Sequence, residues 1–157
     1  MPLIHNELDL LQSLVTLEDT RLVEAGCGAA HLARELVRRF ETTQVVGVEV
    51  DERQLAKNLL TPTARLRFEN AGAQALPFAD STFDGALMLK SLHHVPLPMM
   101  DQALAEMARV LRPGGWLYVS EPVYAGPLNE LVRLFNDEGE VRAAAQAALD
   151  RALASGL

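Results

Sequence analysis

The sequence predicts an α/β protein in which helices cover both faces of a doubly wound, mostly parallel sheet. Short apolar runs alternate with segments of helical periodicity along most of the chain, which is typical of βαβ units joined by right-handed crossovers. The first apolar run ends in EAGCG, where a strand would turn into a helix. A length of 157 residues and a hydrophobic content of 49% suit one domain with a sizeable core.

The first half of the chain supplies two strands and three helices. Leu8, Leu11 and Val15 have helical spacing and predict an amphipathic helix over residues 6–19. In order along the chain, the next predicted elements are a short apolar strand over residues 21–25, a helix over 29–40, a β-branched strand over 44–50 and a helix over 51–60 with an acidic first turn.

The second half supplies three strands, one helix that is ended by proline and glycine, and a helical C-terminal segment. Residues 127–138 have helical spacing, Gly139 interrupts it, and the alanine-rich residues 140–154 continue it. We therefore expect a C-terminal helix that is broken or bent at Gly139. The three strands are predicted over residues 65–69, 83–89 and 116–121, and the helix over 99–111, before Pro113-Gly114-Gly115.

Composition and charge limit the partners that this chain can have. The net charge of −7 argues against general affinity for nucleic acid or anionic membranes. Cys27 is the only cysteine, so we expect no intramolecular disulfide and no metal site. Residues 1–19 lack the basic start of a signal peptide, and no apolar run reaches the roughly 18 residues that cross a bilayer. These features predict a cytoplasmic protein.

The sequence LVEAGCGAAH, at residues 22–31, predicts a ligand-binding turn between the first strand and the following helix. Gly26 and Gly28 allow a ligand close to the backbone, and a helix start offers unpaired N–H groups. A dinucleotide-binding turn reads GxGxxG, but His31 replaces its last glycine, and Glu24 would lie poorly beside a pyrophosphate. A carboxylate here suits a ligand with a cationic end and no phosphate, such as S-adenosylmethionine.

The second predicted strand supplies another acid. Glu49 ends the run VVGVE about 20 residues after the turn, where an acid can bind ribose hydroxyls. Asp51 is interpreted as the cap of the following helix. Alternatives remain open for both acids, because Glu24 could cap the helix after the first strand and Glu49 could be a solvated end residue.

Four blocks in order resemble the class I S-adenosylmethionine-dependent methyltransferases, most closely the small-molecule type 11 group. The blocks are VEAGCGAA, VVGVEVDERQL, ALPFADSTFDGALMLKSLHHV and EMARVLRPGGWLYVSEP, and together they cover about residues 21–122. The resemblance implies a Rossmann-like, three-layer α/β/α fold. We expect a single domain over residues 1–157. Its Rossmann-like core over 21–122 is preceded by an N-terminal helix over 1–20 and followed by a helical segment over 123–157.

The resemblance also implies a site for S-adenosylmethionine and its product, S-adenosylhomocysteine. Glu24 would place the amino-acid end of the cofactor, Glu49 would bind the ribose hydroxyls, and Val50 would pack beside the adenine. His94 would face the region between cofactor and acceptor. The implied cofactor-binding residues are Glu24, Ala25, Gly26, Cys27 and Gly28 of the turn, Glu49 and Val50 after the second strand, Ala73 and Gln74 at the adenine edge, and Leu89 and Lys90 along the methionine portion.

The sequence departs from the family pattern at three places. Ala30 replaces the third glycine of the first motif, which we expect to be a mild change because the position would belong to the helix. Gly72 stands where the family often has an acid for the adenine amine, so that contact would either be missing or fall to Gln74. The antiparallel hairpin that follows the fifth strand in the family is not found. The strand over residues 116–121 is then an open edge unless a helix or another subunit covers it, and a homodimer through this edge is a hypothesis.

The predicted function is methyl transfer from S-adenosylmethionine to a small-molecule acceptor. His93 and His94 form a tempting catalytic pair, but histidines in such a setting are more often structural hydrogen-bonding groups, and His94 is the catalytic candidate. Two other functions stay open: a protein that binds the cofactor without catalysis, as a sensor or structural partner, and a nicotinamide-dependent oxidoreductase.

Overall fold

A computed structural model describes residues 6–122, 125–126, 130 and 137–157. Five helices and five strands are defined within these residues. The helices are α1 (Glu7–Leu14), α2 (His31–Arg39), α3 (Glu52–Leu59), α4 (Met100–Arg109) and α5 (Gly139–Ala154). The strands are β1 (Arg21–Ala25), β2 (Gln44–Glu49), β3 (Leu66–Asn70), β4 (Phe83–Leu89) and β5 (Leu111–Ser120). Short 3₁₀ turns cover Leu92–His94 and Leu97–Met99.

The strands form one sheet in the order β3-β2-β1-β4-β5, and every pairing in it is parallel. The strand order reverses between β1 and β4, so the crevice at their carboxyl ends is the expected ligand site. This topology confirms the predicted doubly wound class. In the part of the chain that the structure describes, no antiparallel strand pairs with β5, which lies at the edge of the sheet.

Two apolar clusters cover the two faces of the sheet. Along β1, Leu22 packs with residues of α1 and α2, whereas Val23 and Ala25 pack with residues of α4 and α5. Successive side chains of a strand point to opposite faces, so these three residues of β1 contribute to both halves of the core. The result is the three-layer α/β/α arrangement that the sequence predicts.

The first helix is shorter than the range 6–19 that the sequence predicts. α1 ends at Leu14, and Val15 already has an extended conformation. The hydroxyl groups of Thr20 and Thr43 both donate to the carbonyl of Leu17. These contacts turn the chain into β1, and this tertiary requirement overrides the helical spacing of the apolar residues.

The C-terminal half differs from the prediction in two bounds. β5 begins at Leu111 rather than Trp116, because its pairing with β4 shifts register between Phe83 and Gly85, and the Pro-Gly-Gly stretch lies within an irregularity of the strand. α5 begins at Gly139, which is therefore the first helical residue and not a break. The helix predicted over residues 127–138 lies largely outside the described residues.

Ala30 is not a helical residue, so the prediction that this position belongs to the helix was wrong. It precedes α2 in the left-handed conformation, with φ +57° and ψ 34°. For a residue with a Cβ this conformation costs about 1–2 kcal/mol relative to a right-handed one. The turn therefore imposes at this position the backbone geometry that glycine adopts without strain.

Replacing Ala30 with glycine is expected to destabilise the protein by about 2 kcal/mol less than replacing Ala33. Both alanines are fully buried, so both changes remove a buried methyl group. Ala33 lies inside α2, where glycine adds a helix-propensity cost, whereas at Ala30 glycine relieves left-handed strain. Denaturant unfolding of the two variants measures the difference, and equal losses of stability would contradict the strain at Ala30.

Candidate functional site

A cavity of about 840 Å³ lies at the carboxyl ends of the strands, where the strand order reverses. Its volume is in the range of small-molecule and cofactor sites. All twelve residues that the sequence singles out line it: Glu24, Ala25, Gly26, Cys27, Gly28, Glu49, Val50, Ala73, Gln74, Leu89, Lys90 and His94. The fold thus brings the predicted site residues together, while their individual roles stay predictions.

The turn after β1 is held by its backbone and by one close neighbour. The N–H groups of Gly26 and Cys27 donate to the carbonyl of Val48 at 2.9 and 3.0 Å. Gly26 has φ +68°, and a Cβ on it would lie 2.6 Å from the Cβ of Ser91. The Ser91 hydroxyl donates to the carbonyl of Ala25 at 2.8 Å. Only glycine therefore fits between this turn and the segment after β4.

Glu49 is a buried carboxylate with two backbone partners, not a solvated end residue. It is 7% exposed, and its oxygens accept hydrogen bonds from the N–H groups of Gly28 at 2.8 Å and Asp51 at 2.9 Å. Each carboxylate oxygen has a further lone pair that can accept a hydrogen bond. Asp51 caps α3 by accepting from the N–H groups of Arg53 and Gln54, as predicted.

Glu24 is a buried carboxyl group with one unsatisfied oxygen. Burial raises its pKa to about 8, while a hydrogen bond from the backbone N–H of Ala33 acts in the opposite direction. Glu24 therefore contacts the first turn of α2, as the capping alternative proposed. Its Oε2 has no hydrogen-bond partner among the residues that the structure describes. A buried acceptor beside the cavity fits a ligand that brings a cationic donor.

The raised pKa of Glu24 predicts a pH-dependent stability. Between about pH 4.5 and 8 the carboxyl ionises in the unfolded chain but stays protonated in the folded one, so the unfolded state binds fewer protons. Its contribution to stability is complete below this window and is lost as the pH rises through it. We expect the free energy of unfolding to fall by at least about 1.4 kcal/mol, the value of one pKa unit, between about pH 5 and 8.

The matched variant for this pH dependence is Glu24→Gln, which keeps the side chain's shape and cannot ionise. Denaturant unfolding of both proteins across the same pH range isolates the contribution of Glu24, because all other titrating groups are shared. The same slope of stability against pH in both proteins would show that Glu24 does not resist ionisation.

The side of the cavity assigned to adenine combines one exposed apolar residue with a glycine that a neighbour covers. Val50 is 64% exposed, which leaves its side chain free to pack against a ligand. The amide of Gln74 lies over Gly72, 2.5–2.6 Å from where a Cβ would be. Any larger residue at position 72 would displace Gln74. The Gln74 amide therefore lies in the region that the side chain of an acid at position 72 would enter.

The two adjacent histidines differ in their surroundings. Nδ1 of His93 lies 2.5 Å from a carboxylate oxygen of Glu121, whose other oxygen accepts the N–H of Leu92 at 2.7 Å. Both members of the His93–Glu121 pair are buried, so His93 has the structural hydrogen-bonding role expected of it. The ring of His94 lies 4.1 Å from that of His93, between centroids, and lines the cavity.

Two further predictions concern side chains that are not expected to react. Burial and the carboxylates of Glu24 and Glu49 raise the pKa of the Cys27 thiol to about 12, which suits a loop residue better than a nucleophile. Lys90 has φ +54°, and its backbone N–H donates to the carbonyl of Ser120 at 2.7 Å. Its backbone thus fixes the end of β4.

The structure adds lining residues that sequence reasoning missed, among them Met88, Ser91 and Pro96. Ser91 has no motif signal, because its importance arises from its position over Gly26. Across the described ranges, no three His, Cys, Asp or Glu side chains are grouped so as to hold a metal ion. No helix in those ranges is both long enough and apolar enough to cross a bilayer.

Residues 23–119 match the family described as a methyltransferase domain, type 11. The chain is 36% identical over 116 residues to methyltransferase GfsG of Streptomyces halstedii. The aligned region covers 71% of this chain and 41% of GfsG. It is 34% identical over 113 residues to O-methyltransferase cnsE of Penicillium expansum, covering 68% of this chain and 39% of that protein. The chain thus spans about two fifths of the length of these relatives.

Solved structures show the same fold. The [4+2]-cyclase SpnF superposes with a TM-score of 0.66 at 32% identity, covering 76% of this chain and 45% of SpnF. An S-adenosylmethionine-dependent methyltransferase of Methanosarcina mazei superposes with a TM-score of 0.62 at 25% identity, covering 70% of this chain and 55% of the other. Both matches exceed two thirds of this chain.

Proposed function

We propose that this chain, which belongs to the class I S-adenosylmethionine-dependent methyltransferases, binds its cofactor in the cavity after β1 and transfers the methyl group to a small molecule. S-adenosylmethionine is the cofactor of this family. The observation that carries the proposal is the pair of buried acidic side chains, Glu24 and Glu49, that flank a glycine turn at the switch point of the sheet. A cation, a ribose and close backbone approach are what these groups suit.

Different residues of the cavity would bind different parts of the cofactor. The unsatisfied oxygen of Glu24 would accept a hydrogen bond from the ammonium group, which favours ionisation of this carboxyl. Glu49 would accept the ribose hydroxyls with the lone pairs that its backbone partners leave. Val50 and Gln74 would contact the adenine, and Leu89 and Lys90 the methionine portion.

The chemistry then needs alignment more than proton transfer. When bound, S-adenosylmethionine supplies a methyl group that is activated by its positively charged sulfur. When the methyl group leaves this sulfur, a neutral thioether remains. The chain has to hold the acceptor in line with this methyl group and keep water out. His94, at the edge of the cavity, would take a proton from an acceptor hydroxyl where the acceptor must lose one.

Three considerations support a small-molecule acceptor. The net charge of −7 disfavours nucleic acid. Among the relatives, a Mycolicibacterium smegmatis protein at 35% identity over 66% of this chain, and 38% of its own length, is a fatty-acid O-methyltransferase. An Amycolatopsis mediterranei protein, at 35% identity over 64% of this chain and 38% of its own length, acts on 27-O-demethylrifamycin SV. We place the protein in the cytoplasm, in line with its single cysteine, which suits a reducing compartment.

A homodimer through the edge of the sheet is a second part of the proposal. Within the described residues, β5 has a strand neighbour on one side alone, and an unpaired edge offers backbone hydrogen-bonding groups to another chain. Beside it, a groove of about 720 Å³ between α4, β5 and α5 is lined by Leu117 and Val119. Sedimentation should detect a dimer, and a monomer at all concentrations would contradict this assembly.

The test of the proposed activity is the formation of S-adenosylhomocysteine in the presence of candidate acceptors. The protein is incubated with S-adenosylmethionine and a panel of small hydroxyl and carboxyl compounds, and the product is quantified by mass spectrometry against a no-acceptor control. Acceptor-dependent product supports methyl transfer. Cofactor binding without product across the panel would favour the non-catalytic alternative.

A further inference from the structure

α3 buries one of its eight residues, and that residue is Asn58. A surface helix normally buries apolar side chains, and asparagine is a weaker helix former than the alanine or leucine that would suit such a position. Asn58 is 3% exposed. A buried amide in this place indicates a polar contact that an apolar residue could not make.

The contact is with the turn after β1. Nδ2 of Asn58 donates to the carbonyl oxygen of Gly28 at 2.8 Å, although thirty positions separate them along the chain. Nε2 of Gln54, one helical turn earlier, donates to Oδ1 of Asn58 at 3.0 Å. Both contacts agree on which way the amide of Asn58 faces: its oxygen accepts from Gln54, and its NH₂ group points to the carbonyl of Gly28, which by itself requires a donor there.

Gly28 is held by hydrogen bonds rather than by packing. It has φ +51°, and apart from its neighbours in the chain no atom lies within 4 Å of where its Cβ would be. Its N–H donates to Glu49 at 2.8 Å, and its carbonyl accepts from Asn58 at 2.8 Å. In the described part of the chain, the other contact of this carbonyl is the Cys27 thiol at 3.9 Å, a weak donor.

We infer that Asn58 is a positioning residue for cofactor binding, through which α3 fixes the conformation of Gly28 in the turn. The inference rests on the proposed function, in which this turn binds S-adenosylmethionine. A turn that is already ordered binds more tightly, because no ordering cost is incurred on binding. Without the amide of Asn58, the Gly28 carbonyl loses its strong donor, and a glycine with open space where its Cβ would be can reorient.

The test compares the affinity of S-adenosylhomocysteine for the wild-type chain and for two variants of Asn58, by calorimetry below the unfolding temperature of each. Asn58→Asp keeps the size of the side chain but, when ionised, has no donor for the Gly28 carbonyl. Asn58→Ala removes the amide and is a better helix former. Each is expected to raise the dissociation constant about 10-fold, by the loss of a buried hydrogen bond and of preorganisation.

Two matched variants separate positioning from general stability. Gln54→Ala removes the partner of Oδ1 but leaves the donor to Gly28, so its dissociation constant should stay within about twofold of wild type. Ala103→Gly weakens α4, away from the cavity, and should lower stability without changing affinity. Hydrogen exchange should accelerate at residues 26–30 in the Asn58 variants and stay unchanged in β4.

The outcomes are distinguishable. Wild-type binding together with unchanged affinity in folded Asn58 variants would overturn the inference and leave the proposed function standing. Equal weakening by Ala103→Gly would also overturn it, because affinity would then follow stability. A folded wild-type chain that binds no S-adenosylhomocysteine would refute the proposed function and this inference with it.

Discussion

Gly26→Ala is expected to lower the free energy of unfolding by about 3 kcal/mol. The new Cβ would lie 2.6 Å from the Cβ of Ser91, and the residue has φ +68°. A Cβ cannot rotate away, so relief requires movement of the backbone at Ser91, whose hydroxyl is bound to Ala25. Steric overlap and left-handed strain therefore add.

Gly28→Ala is the matched control for Gly26→Ala. Gly28 also has a positive φ, of +51°, but its Cβ would meet no atom within 4 Å beyond its chain neighbours. It should therefore show strain alone, at about 1 kcal/mol. Denaturant unfolding of both variants measures the difference. If both alanines cost the same, the contact between Gly26 and Ser91 is not as tight as the structure has it.

Glu49→Ala is expected to weaken binding of S-adenosylhomocysteine about 100-fold, which is about 2.7 kcal/mol. The change removes the acceptor for the N–H groups of Gly28 and Asp51 and, on the proposed role, the acceptor for the ribose hydroxyls. Hydrogen bonds to a charged group are the stronger kind. Calorimetric titration of wild type and variant measures the effect directly.

Two further variants give the Glu49 result its meaning. Glu49→Gln keeps the length and one acceptor oxygen, so it should weaken binding less, by about 10-fold. Glu52→Ala removes an exposed acid from the first turn of α3 and should leave affinity unchanged. Equal affinity in Glu49→Ala and wild type would refute the ribose role, whereas a loss in Glu52→Ala would point to general electrostatics.

β1, β2 and β4 were predictable from the sequence because each is a largely buried apolar run. β1 and β4 have the predicted bounds, at Arg21–Ala25 and Phe83–Leu89. In a parallel sheet that is covered on both faces, such runs are nearly continuous. The gathering of the site residues at one end of the sheet follows from this topology and was predictable for the same reason.

The missed features depend on contacts between distant parts of the chain. Ser91 acts on the turn 66 positions away by binding Ala25, and Asn58 contacts Gly28 from α3, 30 positions further along the chain. The left-handed conformation of Ala30 is not indicated by alanine itself, which normally favours helices, but only by the glycine that the family motif has at this position. The sequence around each of these residues is ordinary, so their roles become apparent only when the elements are packed together in the structure.

The central claim is that the cavity after β1 binds S-adenosylmethionine, and the most direct test is a calorimetric titration of the wild-type chain with S-adenosylhomocysteine, with NADH as the control. We predict saturable one-to-one binding of S-adenosylhomocysteine and none of NADH. The unsatisfied oxygen of Glu24 beside the cavity suits a cationic ligand. The turn after β1 lacks the glycine pattern that binds the pyrophosphate of a dinucleotide such as NADH. Binding of NADH, or no binding of S-adenosylhomocysteine by a folded chain, would contradict the claim.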